Sequence, residues 1–274
     1  MFDRTGDGRR LTGHRKPPTL RSRSTARERA YRTPTGISGL DEMLGGGFPQ
    51  GRVLMVIGEP GAGKTILCSQ YLMNGIDKFG ENGLLVSLEE NKNHHRLEMS
   101  QFGMDFASAE KEGKFSFIDA SPIRTVPREV KIGKLSIGHQ DFSLLGLLEL
   151  IRNTAKTIDA RRIVVDPVSL LIFQYTDETQ RRRAMMDLVD GMSQTGATCI
   201  LSSELRHVGL KGRTLQTEEY LAQGIILMQA IAVGRMMERT IQIEKMRGTR
   251  IDRQPRPYRI TERGIEVYPK ENVI

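Results

Sequence analysis

The sequence predicts an α/β protein: a mainly parallel sheet covered by helices on both faces, with an antiparallel extension near the C-terminus. Three observations predict it. From about residue 34 onward, short apolar runs alternate with stretches of helical spacing. A glycine-rich loop stands between one such run and the stretch that follows it. The last apolar runs succeed one another with no helix between them.

The elements follow in order. Thr35-Gly36-Ile37-Ser38-Gly39-Leu40-Asp41 leads into a short helix that stops at Gly45-Gly46-Gly47. Arg52–Ile57 is a continuous apolar run of strand length, as expected of a strand buried on both faces. Lys64 to about Lys78 has helical spacing. Leu84–Leu88 is a second strand, His95–Gln101 a short helix and Phe115–Asp119 a third strand. From Phe142 to about Ile158, Leu144, Leu145, Leu148 and Ile151 line one face of a long amphipathic helix. Arg162–Asp166 is a fourth strand. Arg181 to about Thr195 is a helix that ends at Gly196, and Ala197–Ser202 is a fifth strand. Gly224–Gln229 and Thr240–Lys245 are later strands. Tyr258–Ile260 and Ile265–Val267 form a closing hairpin around Arg263-Gly264.

The 274 residues are enough for one or two domains. Residues 1–33 are rich in Arg, Ser, Thr, Gly and Pro and nearly free of apolar side chains. Such a segment buries too little surface to offset its chain entropy, so a disordered tail is expected at 1–33 and a folded domain at 34–274. The tail carries +7 of the net charge of +8, which leaves the folded part nearly neutral. The stretch Arg21–Arg27 suits contact with phosphates or a partner as readily as a solvated tail. No apolar run approaches the roughly 18 residues of a membrane span. The N-terminus lacks the basic-then-apolar pattern of a secretory leader. A soluble cytoplasmic protein is the expectation, with no membrane partner. Cys68 and Cys199 are too few for a disulfide framework or a zinc site and are read as buried.

Gly58-Glu59-Pro60-Gly61-Ala62-Gly63-Lys64-Thr65 matches the phosphate-loop pattern, follows an expected strand and, with Ile66, opens an expected helix. Glycines allow backbone N–H groups to turn toward phosphate oxygens, and the helix N-terminus adds its positive end. Lys64 is placed to reach β- and γ-phosphates, and the Thr65 hydroxyl to ligate Mg²⁺. Asp166, at the end of an apolar strand, supplies the carboxylate that completes a Mg²⁺ site. Hydrolysis also needs a base for water. Glu89 and Glu90 close the second strand at the edge where α/β sheets hold ligands. Glu90 is favoured as base with Glu89 assisting, although the spacing alone allows the reverse.

Together with the order of Thr35–Asp41, Gly45-Gly46-Gly47-Phe48-Pro49, Ser87-Leu88-Glu89-Glu90, Asp166 and Glu244-Lys245-Met246-Arg247-Gly248-Thr249, these features resemble the KaiC family of RecA-like ATPases. The likeness is to its single-domain archaeal and bacterial members and covers Pro34 to the C-terminus. It implies a RecA-type core, ATP and Mg²⁺ as cofactors, and rings, usually hexamers, with ATP between neighbours. It implies that Glu89 and Glu90 are the paired catalytic glutamates. It also implies that Lys245 and Arg247 reach the γ-phosphate of the adjacent subunit. The sequence departs from the clock proteins of the family, which have two tandem domains and a phosphorylated Ser-Thr pair. By register with Gly224–Leu227 the corresponding positions are Glu219 and Tyr220, so clock-type autokinase activity is not expected.

The leading expectation is a ring-forming regulatory or signalling ATPase that hydrolyses ATP and takes itself, and a protein, as partners. The alternative is a DNA-binding paralogue of the RecA and RadA recombinases, with the basic tail on nucleic acid. A third reading is a nucleotide switch that barely hydrolyses. Five weaker signals remain. Ser202-Ser203-Glu204 ends the fifth strand at a place suited to sensing γ-phosphate. His94 and His95 are read as capping or solvent-facing rather than as metal ligands. Arg181-Arg182-Arg183 is read as a solvated face or a contact between subunits. The Met pairs 185–186 and 236–237 are read as core or interface packing, and the basic segment 121–139 as a loop with no clear period.

Overall fold

The computed structural model describes residues 31–121, 130–132, 135–137, 144–172, 174–175, 177–205, 208–209, 212–213 and 217–273. The expected disorder of the tail falls on residues outside this set, except at its end. There Arg32–Thr33 (β1) pairs with Phe48–Pro49 (β2), so the fold begins slightly earlier than the boundary at 34. Thr33 is buried, and its hydroxyl meets that of Thr198 at 2.8 Å.

Between these short strands lies Leu40–Met43 (α1). The Asp41 carboxylate explains the Thr-Gly-x-x-x-x-Asp pattern. It accepts hydrogen bonds from Thr35 N (2.7 Å), Thr35 Oγ1 (2.8 Å) and Gly36 N (2.9 Å), folding the segment onto itself. Then come Val53–Gly58 (β3), Lys64–Phe79 (α2), Asn82–Ser87 (β4), Lys92–Ser100 (α3), Phe106–Lys111 (α4) and Phe115–Asp119 (β5). Val130–Ile132 (β6) and Leu135–Ile137 (β7) pair as a small hairpin inside the segment expected to be loop. Leu144–Thr157 (α5), Ala160–Asp166 (β8), Ser169–Ile172 (α6), Glu178–Ser193 (α7) and Thr198–Glu204 (β9) continue the alternation. Val208–Gly209 (β10) and Gly212–Arg213 (β11) form a second small hairpin. A 3₁₀ turn at Thr217–Tyr220 precedes Gly224–Val233 (β12), Met236–Met246 (β13), Arg256–Thr261 (β14) and Gly264–Val267 (β15).

Nine strands form one sheet in the order β15-β14-β13-β12-β3-β9-β8-β4-β5. The strands from β12 to β5 run parallel, and β12 to β15 pair antiparallel. This is the expected α/β architecture. The strand pattern divides the core by the period of two. Leu54, Val56, Leu85, Val164 and Ile200 face α2 with Leu67, Tyr71 and Leu72. Val53, Met55, Ile57, Leu84, Val86, Ile163 and Val165 face α5 and α7 with Leu148, Ile151, Met185 and Leu188. Cys68 and Cys199 are buried on opposite sides of the sheet, and burial pushes the Cys199 thiol up to about 12. Met185 joins the core, whereas Met236 and Met237 stand exposed at 72% and 65% at the turn between β12 and β13. No helix of the described residues is long and apolar enough to cross a membrane.

One buried cation departs from the expected apolar strand. Arg162 has no exposed surface. Its Nε donates to Glu81 at 2.6 Å and its Nη1 to the Tyr71 carbonyl at 2.9 Å, with the guanidinium 4.6 Å from the Tyr71 ring. It therefore fastens β8 to α2 and the turn after it. Arg162→Ala is expected to destabilise the fold by about 3 kcal/mol. That is the lower end for breaking a buried pair, because the half-buried Glu81 regains water. Urea unfolding checks this: the midpoint should fall with an unchanged slope.

Candidate nucleotide site

All six parallel strands end at one edge of the sheet, and the expected site residues from Gly58 to Asp166 gather there. The phosphate loop leaves β3 at Gly58 and enters α2 at Lys64. A side chain at Gly58 would stand 2.6 Å from the Met228 carbonyl of β12, so the close approach demands glycine. Gly63 caps α2 with φ 86°, and no side chain caps that helix. Its first-turn N–H groups thus have no side-chain acceptor and are available to an anion. The loop turns on itself through Ala62 N to the Glu59 carbonyl at 3.1 Å. Pro60 and Gly61 form its exposed crest, and Ile66 packs against the core behind it. Lys64 Nζ donates to the carbonyls of Gly58 and Glu59, both at 3.0 Å, which lays the ammonium along the loop. The Glu59 carboxylate turns away, accepting Ala230 N at 3.3 Å, so this side chain anchors the loop to β12.

Asp166 ends β8, two strands from β3. The Ser202 hydroxyl, on the intervening β9, donates to its Oδ1. Burial pushes the Asp166 carboxyl above its ordinary value, while bonds from Ser202 and Thr65 and the Lys64 charge oppose that shift. A divalent ion would add to the opposing side and keep the carboxylate ionised. The donor set fits Mg²⁺ with ATP: a hydroxyl and a carboxylate joined by a hydrogen bond, beside an ammonium and an uncapped helix. Of the three residues read as a γ-phosphate sensor, Ser202 spends its hydroxyl on Asp166. Ser203 and Glu204 pair in register with Ile57 and Gly58 at the loop.

Glu89 and Glu90 follow β4 and border one cavity with Thr65, Ser87, His95 and Asp166. The Ser87 hydroxyl fixes this turn. It donates to the Glu90 carbonyl at 2.6 Å and accepts Glu90 N at 3.0 Å. Asn91 then caps α3 by accepting the N–H groups of Asn93 and His94.

Lys245 and Arg247 are not brought to this site. Lys245 pairs with Ile225, which lies level with Met55, three residues before Gly58 on the parallel β3. At roughly 3.3 Å per residue that is on the order of 10 Å below the loop, with β12 in between. Arg247 lies lower still, its N–H bonded to the Gln223 carbonyl. Lys245 Nζ donates to the Tyr220 carbonyl at 2.9 Å, and burial, with Arg247 nearby, holds its ammonium below the usual range.

The family model described as "ATPase: KaiC" matches residues 33–272. The chain belongs to the KaiC family of ATPases. A UPF0273 protein of Pyrococcus horikoshii is 35% identical over 243 residues, covering 87% of this chain and 94% of the relative. The circadian clock oscillator protein KaiC of Synechococcus elongatus is 33% identical over 86% of this chain, which spans only 44% of that protein. The crystal structure of a KaiC-like protein from Pyrococcus horikoshii superposes with a TM-score of 0.73 at 32% identity. It covers 87% of this chain and 99% of that one. The chain thus holds a KaiC-like domain of the RecA superfamily, with the phosphate loop described above.

Two contributors escaped the sequence reading. Tyr258, on the C-terminal hairpin, donates its hydroxyl to the Ala62 carbonyl at 2.5 Å. The same hairpin grips α2 through Gln70, which accepts Ile265 N at 2.8 Å, and packs Ile260 and Ile265 against Gly63. No local sequence signal marks this buttress of the KaiC phosphate loop. The second is His95, expected to cap or face solvent. His94 does face solvent, but His95 is buried, with Nε2 2.8 Å from Ser69 Oγ and its ring against Phe106 and Phe117. Burial lowers its pKa to about 4. The unfolded chain takes up this proton below about pH 6.5 and the folded one only near 4. Stability should therefore fall as the pH drops between those values, by up to about 3 kcal/mol. Urea unfolding at pH 7 and pH 4.5 checks the sign, and His95→Leu should flatten the acid limb.

Proposed function

We propose that this chain binds ATP with Mg²⁺ and hydrolyses it to ADP and phosphate, as a ring of identical copies, with each site completed by its neighbour. The observation that carries this reading is the split of the charged residues between two edges of one sheet. Lys64, Thr65 and Asp166 gather with Glu89 and Glu90 at the upper edge, whereas Lys245 and Arg247 end at the lower edge, behind β12.

In the mechanism, loop N–H groups and Lys64 hold the phosphates; Thr65 and Asp166 would hold Mg²⁺, which when bound would supply positive charge against the transferring phosphoryl group. One of the glutamates, Glu90 by preference, accepts the proton of the attacking water. Lys245 and Arg247 of a neighbouring copy stabilise the charge that develops in the transition state. Hydrolysis is thereby tied to assembly, which suits a regulatory or signalling switch. The basic tail, a possible nucleic-acid contact, is secondary to this reading.

A complementation experiment tests it. Lys64→Ala lacks a working loop but keeps its cations. Lys245→Ala/Arg247→Ala lacks the cations but keeps its loop. Each should be inactive alone, and mixing them should restore turnover, because a mixed ring contains intact sites. No recovery, at concentrations where sedimentation shows assembly, would overturn the shared site. Turnover should also be indifferent to single-stranded DNA in the full chain and in residues 31–274, which keep β1. Acceleration of the full chain alone would put the recombinase reading first.

A further inference from the structure

The proposed mechanism leaves several buried polar groups unused, His95 and Ser69 among them. His95 stands out among the described residues. It lies on α3, which begins two residues after Glu90, and it borders the cavity shared by Glu89, Glu90, Thr65 and Asp166. Its side chain is 1% exposed. Its single hydrogen bond runs to Ser69 on α2, one helical turn beyond Thr65. Nδ1 is buried with no partner, so the ring has one polar tie, and that tie crosses from the glutamate-bearing segment to the phosphate-loop helix.

The two sides of the cavity also meet at Asp166: Leu88 N donates to its carbonyl at 2.8 Å, and its carboxylate bonds Thr65, so the His95–Ser69 bond is a second tie between them. Glu89 and Glu90 hang from β4 on a turn set by Ser87, and Thr65 stands on α2. β4 and the phosphate-loop strand β3 are separated in the sheet by β9 and β8. A link through the sheet alone passes through both of these strands, whereas the His95–Ser69 bond ties α3 to α2 directly. Phe106 and Phe117 hold the imidazole plane, with centroids at 4.9 and 5.6 Å, so the ring is preset for that bond.

We propose that His95 is a positioning residue for hydrolysis: through Ser69 it fixes Glu89 and Glu90 in distance and angle from Thr65 and its metal. This rests on the assignment of the glutamates as the hydrolytic pair. Depressed basicity keeps the imidazole neutral at physiological pH, so it adds no charge to the metal site. An angstrom of slack at a reacting water can cost on the order of a hundredfold in rate, so a clamp of this kind acts on turnover more than on binding.

The test uses the full chain. His95→Leu and Ser69→Ala should each lower kcat at least about tenfold, while KM for ATP and the affinity for fluorescent ADP stay within about twofold. The double variant should be no slower than either single one. His95→Gln places an amide where Nε2 stood and should recover most of kcat, whereas His95→Asn mimics Nδ1 and should not. In the unliganded wild type, ¹⁵N signals of the His95 ring should report one fixed tautomer, lost in Ser69→Ala. The proposal is overturned if His95→Leu keeps full kcat, if ADP affinity falls in step with kcat, if Asn rescues as well as Gln, or if the tautomer ignores Ser69. If Glu89→Gln/Glu90→Gln turns over like wild type, the glutamate assignment fails instead. The ring signals still report the clamp in that case.

Discussion

Lys64→Ala is expected to abolish ATP turnover and to weaken nucleotide binding by at least a hundredfold, the largest effect of any single substitution in the chain. The reason lies in where the ammonium rests. It is held along the loop by the carbonyls of Gly58 and Glu59, beside the uncapped start of α2, and it bears electrostatically on Asp166. Removing it takes away the side-chain cation that this chain lays along the loop and leaves the phosphates there to the backbone N–H groups and the metal. A buried charge-assisted contact of this type is worth several kcal/mol, and about 1.4 kcal/mol corresponds to each tenfold in affinity. Equilibrium binding of fluorescent ADP and phosphate release measure both halves of the prediction. Arginine should not rescue it, because its planar fork cannot follow the path of a flexible ammonium stem. Wild-type affinity in Lys64→Ala would refute the placement of phosphate on this loop.

Glu90→Gln should separate binding from chemistry. The substitution keeps the size and the backbone bonds to Ser87, and it leaves Lys64, Thr65 and Asp166 untouched. ATP should therefore bind as before, while turnover falls by about 10²–10⁴, the usual contribution of a positioned base. Glu89→Gln should cost less, because Glu89 is the more exposed of the two. Single-turnover measurements read the difference. If Glu89→Gln is the slower variant, the roles are reversed and the two carboxylates exchange places in the mechanism. If neither variant is slowed, the water finds its base elsewhere.

Much of the scaffold was legible because its signals are local. The apolar runs at Val53–Ile57 and Ile163–Val165 could be nothing but buried strands once glycine and charge bounded them, and the Gly58–Thr65 loop carries its context with it. The carboxylates at Asp166, Glu89 and Glu90 were placed by strand ends, which in a parallel sheet all open to one edge. What stayed hidden depends on contacts between distant segments. Arg162 looked like the polar start of a strand, yet it is wholly buried beneath α2. His95 sat in a polar stretch, Lys92-Asn93-His94-His95-Arg96, where only the meeting of α3 with Ser69, Phe106 and Phe117 turns one histidine inward. Ser202 read as a possible phosphate sensor until β9 was seen to lie beside β8, which gives its hydroxyl to Asp166. Met236 and Met237 read as core or interface packing; β12 and β13 run on past the last pairing with β3 and carry them out of the core, which leaves the interface half of that reading.

The buttress behind the phosphate loop has a consequence for the order in which the protein comes into being. Tyr258 and Ala62 are joined by a hydrogen bond across 196 positions of chain. A ribosome releases the loop, its lysine and its magnesium ligands long before it releases the strands that brace them. A nascent chain that stops short of Arg256 would carry every recognisable part of a nucleotide site and still lack the wall that holds Gly63 in place. The Gly63 turn would gain that wall only late, as the final hairpin docks.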